Sequence, residues 1–456
     1  MRLRKTLGLD GAVAYTFLAR LINILGSTGT VLLIVRFLNP TEQGYYYTLL
    51  SLVSLQVVFE MGFSFVIQQL AAHECVHLKI TDGGSVNGEE VARARLASTL
   101  QLSLRWYTLA AAAMGLILAP VGTVFFARHT VGAAHVDWLG PWLAAVGACM
   151  LGLWCTPFYS FLEGCGQVRA VAAMRLRQAV VLSALAWGAM LLKHGLFSPA
   201  LVMVGQAAVG LLFLASRRKL LLGLLLHRAP KTTIRWIGEV WPFQWRIAVS
   251  SMCGYFTIQV FIPIIFALRG AVEAGQMGMS ISITSYMTAL ALAWSSTKST
   301  PFGAMIARGE FHGLDRLFRR TLIQSLAAFA FIALGACGVA SLLPAVAPRL
   351  AVRMVSPRLF AALALAAGAN CVVQSLATLL RSFKSEPFLL QSLTVAALTL
   401  LLAALTTPRW GNAGAVLSYF VATAGVGLPI AWAIYLRARC GYTCVGVLES
   451  WGSEAR

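Results

Sequence analysis

Charge is scarce in this chain. Only 11% of its 456 residues are Asp, Glu, Lys or Arg, against 59% hydrophobic residues. A mean hydropathy of +0.77 lies far above that of soluble domains. Acids are the scarcer sign, 16 against 36 Lys and Arg. The glycine–lysine phosphate loop is missing, so the chain does not power itself with ATP. Alternating ten-residue segments of the outer-membrane barrel kind are missing too. Nine cysteines are an odd set, and Cys149, Cys155, Cys253, Cys337 and Cys371 lie in apolar runs, so no disulfide framework follows. Cys440 and Cys444 alone are a weak metal signal, and neither a metal nor another cofactor is expected. The start, Met1 to Leu38, lacks a short apolar core with a cleavage site and reads as a retained span.

What the chain has is apolar length. Runs of about 20 residues, enough to cross a hydrocarbon core roughly 30 Å thick, recur along it. Spans are predicted at 13–37, 46–72, 98–126, 138–162, 177–194, 199–216, 247–268, 276–297, 321–343, 359–380, 388–407 and 412–436. The expected class is an all-α polytopic membrane protein of about twelve transmembrane helices. Lys and Arg concentrate in alternate loops, which places both termini on the cytoplasmic side. The net charge of +20 then reflects topology and attraction to anionic membrane lipids, with no nucleic-acid partner.

Twelve spans divide evenly. A shift of 231 places Glu273-Ala274-Gly275 on Glu42-Gln43-Gly44, each triplet following the first span of a six-span half. Two six-helix lobes in one orientation fit the parallel-repeat plan of several transporters. The expected organisation is an N-terminal lobe over 1–216, an interfacial linker over 217–246, a C-terminal lobe over 247–436 and a cytoplasmic tail over 437–456. The linker interleaves Trp236, Trp241 and Trp245 with seven Lys and Arg, which suits a segment along the inner headgroup layer.

Polar residues inside spans are the functional signal, because charge at bilayer depth is costly. In the first span Thr16, Arg20, Asn23, Ser27 and Thr30 step by four and three, tracing one helical stripe. In the second span Gln56, Glu60, Ser64 and Gln68 step by four. Arg20 lies about 10 Å and Glu60 about 18 Å above the inner ends of their spans, at 1.5 Å per residue. Two readings follow: an ion pair, or two groups lining one inward-facing cavity. Glu60 is either a titrating coupling group, with Gln56 beside it, or a static counter-ion. Arg20 is either a contact to substrate phosphate, with Asn23 and Ser27, or a structural pair or lipid contact. The 231 shift sets Ser251 and Ala291 opposite these charges. The second half therefore offers Ser251, Tyr255, Gln259, Ser285 and Thr288, with Lys298 at the inner edge as a further substrate contact.

His73-Glu74-Cys75-Val76-His77 matches H-E-x-x-H, the zinc-protease pattern. No clear third ligand follows. The plainer reading is a polar cap at the inner end of the second span, leading into a mobile loop.

Several segments resemble Wzx-type polysaccharide flippases of the multidrug/oligosaccharidyl-lipid/polysaccharide exporter superfamily. They are Leu18 to Ile67, with Arg-Phe-Leu, a Pro turn and Gly44-x-Tyr46; Phe161 to Gln178; Pro301 to Arg320; and Gly411 to Tyr419. Glu60 stands where aspartate is frequent in that family, and the 73–97 segment is longer and more hydrophilic. The resemblance implies a MATE-like bundle of two lobes around a central cavity. Its implied cargo is an oligosaccharide on polyprenyl pyrophosphate, carried across the bacterial inner membrane, with polysaccharide polymerase and chain-length proteins as partners. The alternatives are a MATE-like exporter of drugs or other amphiphiles, and a membrane-embedded enzyme, either zinc protease or glycosyltransferase.

Overall fold

The computed structural model describes residues 11–76, 78–80, 86–129, 136–227, 238, 240–383 and 387–440. Among them ten helices are long and apolar enough to cross a membrane, or eleven when one bent pair counts as a single span. The expectation was about twelve. The missing span is Ala271–Thr297, a helix of 27 residues. At 1.5 Å per residue it is long enough, roughly 40 Å. Its run of Ser280, Ser282, Thr284, Ser285 and Thr288 keeps it out of the apolar class.

The chain falls into two compact units, Met1–Ser251 and Met252–Arg456. In the first, α1 (Gly11–Phe37) is followed by α2 (Pro40–Val53), α3 (Gln56–Glu60) and α4 (Phe63–Cys75). The start of α2 is written in the sequence. Asn39 Oδ1 accepts from the Glu42 N–H and Glu42 Oε2 accepts from the Asn39 N–H, both at 2.8 Å, and Pro40 holds the first helical position. Such reciprocal capping satisfies two donors that the helix leaves open.

The second span is broken. Met61 (φ 51°) and Gly62 (φ 62°) are both left-handed, and α2–α3 meets α4 at 43°. Beyond the break, a short ribbon pairs β1 (Leu78–Ile80) antiparallel with β2 (Val86–Gly88), Leu78 facing Gly88. It stands at the expected mobile loop, whose residues 81–85 lie outside the described set. Then come α5 (Glu90–His129), α6 (Leu139–Gly164), α7 (Val168–Leu191), α8 (Ser198–Ser216) and α9 (Arg218–Leu225).

Small residues set the helix contacts, as membrane packing requires. Helix α1 lies along α7, with Gly26 against Ser183 and Gly29 against the Trp187 ring. Trp187 Nε1 donates to the Gly26 carbonyl at 3.3 Å. Helix α4 meets α6 at Gly164, where a Cβ would stand 2.5 Å from the Gln68 carbonyl oxygen. Helix α9 is held to α5 by Gln101, whose Nε2 donates to the carbonyls of Leu225 (3.1 Å) and His227 (3.0 Å).

α10 (Trp241–Ile258) runs across the division between the units, and α11 (Phe261–Arg269) follows a break at Gln259–Val260. Pro263 causes that break, since it lacks the N–H that would bond the Gln259 carbonyl. The second unit continues with α12 (Ala271–Thr297), α13 (Ser299–Ala307), α14 (Phe311–Val346), α15 (Pro348–Ala351), α16 (Pro357–Arg381), α17 (Leu389–Trp410) and α18 (Asn412–Phe420). A π-helical stretch, Val421–Gly427, carries α18 into the last helix, α19 (residues 428–440). Buried Ser295 lies 3.1 Å from Ser325 and 3.2 Å from Ser375, tying α12, α14 and α16 together by their hydroxyls. Pro40 and Ala271 open α2 and α12 at an offset of 231, and Glu42 and Glu273 each sit in the first turn.

Candidate functional site

The first unit carries the charged candidates. On α1 the leucines Leu18, Leu21, Leu25 and Leu32 are exposed. At 100° per residue they share one face, and Thr16, Arg20, Asn23, Ser27 and Thr30 share the opposite one. Arg20 and Asn23 are exposed on that polar side, while Ser27 is half-buried. The helix thus separates a lipid-suited face from a guanidinium-bearing stripe.

The two stripes are carried by helices with different neighbours. Helix α1 packs along α7, whereas α3 and α4 pack against α5 and α6. The group set against the Glu60 carboxylate is accordingly Ser64, one turn on, whose Oγ donates to Glu60 Oε1 at 2.6 Å. The fully buried Tyr107 of α5 brings its hydroxyl beside both. That hydroxyl has no hydrogen-bond partner of good geometry. Phe63 stacks on the Tyr107 ring at 6.1 Å. Gln56, expected beside Glu60, accepts from Cys149 Sγ at 2.9 Å instead. A carboxylate at a helix break, with an unsatisfied phenol against it, is a group able to exchange a proton with a hydroxyl already in place.

Sequence spacing did not show the break. Glu60 read as mid-span, and the signal was Gly62, two residues on, in an apolar run. Gly62 also meets α10, where a Cβ would stand 2.5 Å from Ile247 Cγ2 and 3.5 Å from Ser251 Oγ.

The zinc-protease pattern dissolves on inspection. Buried Glu74, the would-be general base, accepts from Arg95 Nε of α5 at 2.8 Å. His73 is exposed, and His77 lies outside the described residues. Among the described residues no group of three His, Cys, Asp or Glu could hold a metal.

The second unit holds a cavity of about 200 Å³. Thr284, Ser285 and Thr288 of α12, Asn370 and Gln374 of α16, and Tyr419 of α18 form its polar part. Phe261, Met277, Ile281 and Leu363 are among its apolar walls. Ser285 and Thr288 were anticipated as second-half polar residues. Asn370, Gln374 and Tyr419 were not, though Asn370 and Gln374 stand one turn apart in an otherwise apolar span. Lys298 lies elsewhere, half-buried at the C-terminal cap of α12, its N–H on the Ser295 carbonyl at 3.1 Å.

No protein-family model matches the sequence, and no curated protein matches it. Solved structures do. A multidrug resistance MATE family transporter of the MOP superfamily, in an inward-facing conformation, superposes with a TM-score of 0.64 at 12% identity, over 94% of this chain and 95% of that one. The MATE transporter VcmN of Vibrio cholerae, in its bent form, gives 0.58 at 15% identity over 95% and 97%. The lipid II flippase MurJ, inward closed, gives 0.53 at 13% identity over 96% and 91%. Likeness at this level of identity establishes the fold, and the fold is that of these transporters.

Proposed function

We propose that this protein is a membrane transporter that moves a polyprenyl-pyrophosphate-linked oligosaccharide across the bacterial inner membrane, for cell-surface polysaccharide synthesis. The observation that carries the reading is Arg20, a guanidinium on the polar side of a membrane-length helix whose opposite face is leucine. A planar guanidinium suits bidentate contact with a pyrophosphate. Asn23 and Ser27 extend that stripe, and Lys298 supplies a further cation at the end of α12. Glu60, with Ser64 and Tyr107 against it, is the coupling group of this reading, and Gln56 flanks it. Both termini are cytoplasmic, and polysaccharide polymerase and chain-length proteins are the partners implied. Among the fold's relatives, one is a lipid II flippase.

A second reading, export of drugs or other amphiphiles, draws on the multidrug transporter among the same relatives. Reconstitution separates the two. Vesicles carrying the purified protein and a fluorescent lipid-linked glycan should lose inner-leaflet label with time, and Arg20→Ala should abolish that loss at normal protein level. Normal translocation by Arg20→Ala removes Arg20 from the site. Efflux of a cationic dye with no movement of the glycan lipid establishes the second reading.

A further inference from the structure

The cavity of the second unit has a chemistry of its own. No Asp, Glu, Lys, Arg or His lines it. A cation or an anion taken there would leave water without a counter-charge, which is costly. The polar groups are instead neutral and two-sided. Thr288 Oγ1 donates to the Thr284 carbonyl at 2.9 Å, and Thr284 Oγ1 donates back to its own helix at 3.0–3.1 Å. Their hydrogens are spent, so their oxygens face the cavity as acceptors. Asn370 and Gln374 bring carboxamides, each with two donor hydrogens and an acceptor oxygen. Tyr419 adds an aromatic ring, with its hydroxyl beside Asn370 and Thr423. The Thr423 hydroxyl is itself buried without a partner. It sits in the π-helical stretch, a feature that recurs at functional positions.

Size narrows the ligand. Pockets for drug-sized molecules run from about 300 to 1,000 Å³, and this cavity has about 200 Å³. It suits one ring rather than a polycyclic amphiphile. An array of neutral donors and acceptors beside an aromatic face matches vicinal hydroxyl groups, each of which both donates and accepts.

We infer that this cavity is a binding site for a single uncharged, polyhydroxylated ring: a sugar unit. Its assignment to the cargo rests on the proposed function. On that reading the two parts of the cargo are recognised by separate groups, the pyrophosphate by Arg20 and one sugar by Asn370, Gln374 and the α12 hydroxyls.

The test is saturation-transfer NMR on the full chain in lipid nanodiscs, with three probes: methyl glycosides, tetraethylammonium and inorganic pyrophosphate. Methyl glycosides should give a signal, and tetraethylammonium should neither give one nor compete. Gln374→Leu, at an exposed position, combined with Asn370→Leu should weaken the glycoside signal about tenfold, as expected for two lost hydrogen bonds. Arg20→Ala should leave it unchanged while removing pyrophosphate. Gln374→Glu, a near-isosteric change, should admit tetraethylammonium. A glycoside signal indifferent to Asn370→Leu/Gln374→Leu, or wild-type competition by tetraethylammonium, overturns the inference. Glycoside binding that persists in a protein unable to move the glycan lipid would sink the cargo reading and keep the site. Glycan-lipid movement with no glycoside binding would do the reverse.

Discussion

Replacing Gly62 by alanine tests the broken second span most directly. Two separate terms oppose the substitution. The left-handed backbone (φ 62°) disfavours any residue with a Cβ by about 1–2 kcal/mol. The new Cβ would also stand 2.5 Å from Ile247 Cγ2, inside van der Waals contact. Relief of that overlap by movement of α4 or α10 costs about 1–3 kcal/mol. Together Gly62→Ala should destabilise the protein by about 2–5 kcal/mol. Gly166 supplies the control. It is also left-handed (φ 80°), but nothing lies within 4 Å of its missing Cβ. Gly166→Ala should therefore show the backbone term alone, about 1–2 kcal/mol. Ile247→Ala in the Gly62→Ala background should return the overlap term, read as a coupling energy of about 1–3 kcal/mol in a double-mutant cycle. Unfolding by sodium dodecyl sulfate titration of the purified protein measures all four variants. Equal losses for Gly62→Ala and Gly166→Ala, or no coupling with Ile247, would refute the reasoning.

Four further outcomes follow from the same geometry. Glu60→Gln should flatten the pH dependence of transport, and an unchanged profile in the vesicle assay would mark Glu60 as structural. Tyr107→Phe should leave unfolding within about 0.5 kcal/mol of wild type, because the lost hydroxyl made no good hydrogen bond. A loss of several kcal/mol would reveal a partner. Arg95→Ala should destabilise by about 3 kcal/mol, since it leaves Glu74 (7% exposed) with a buried charge, and Glu74→Gln should recover part of that loss. Added zinc should not stabilise the wild-type protein, and a zinc-dependent rise in its melting temperature would restore His73 and Glu74 as ligands.

Much of the fold was legible because the bilayer imposes a length and a polarity. The apolar runs found the spans, Asn39-Pro40-Thr41-Glu42 spelled a helix start, and the 231 offset aligned the openings of α2 and α12. The site was less legible. A stripe on one helix can be read from spacing, and the α1 stripe does oppose a leucine face. Which helix packs on which cannot be read that way. Helix α1 chose α7 through Gly26, Gly29, Ser183 and Trp187, so the stripes of the first two spans did not become mates. The break at Met61–Gly62 was hidden in an apolar run where one glycine is unremarked. The β1–β2 ribbon was hidden because its strands are three residues each and one is largely polar. The cavity joins residues of α12, α16 and α18 that lie far apart in sequence, and only folding makes them one surface.

The π-helical stretch Val421–Gly427 has a consequence for how the end of the chain tolerates length change. An i→i+5 bond holds one residue more in its turn than the α-helix needs. In an α-helix one residue is worth about 100° of rotation. Loss of a single residue between 421 and 427 would therefore let the helix close into regular α form. It would also turn everything beyond it by about that angle relative to Tyr419, taking Ala431 and Tyr435 out of the core they now fill with Phe318 and Leu376. The last helix is thus set like the hand of a clock by an extra residue. One deleted codon there would reset that hand while leaving every side chain before Val421 in place.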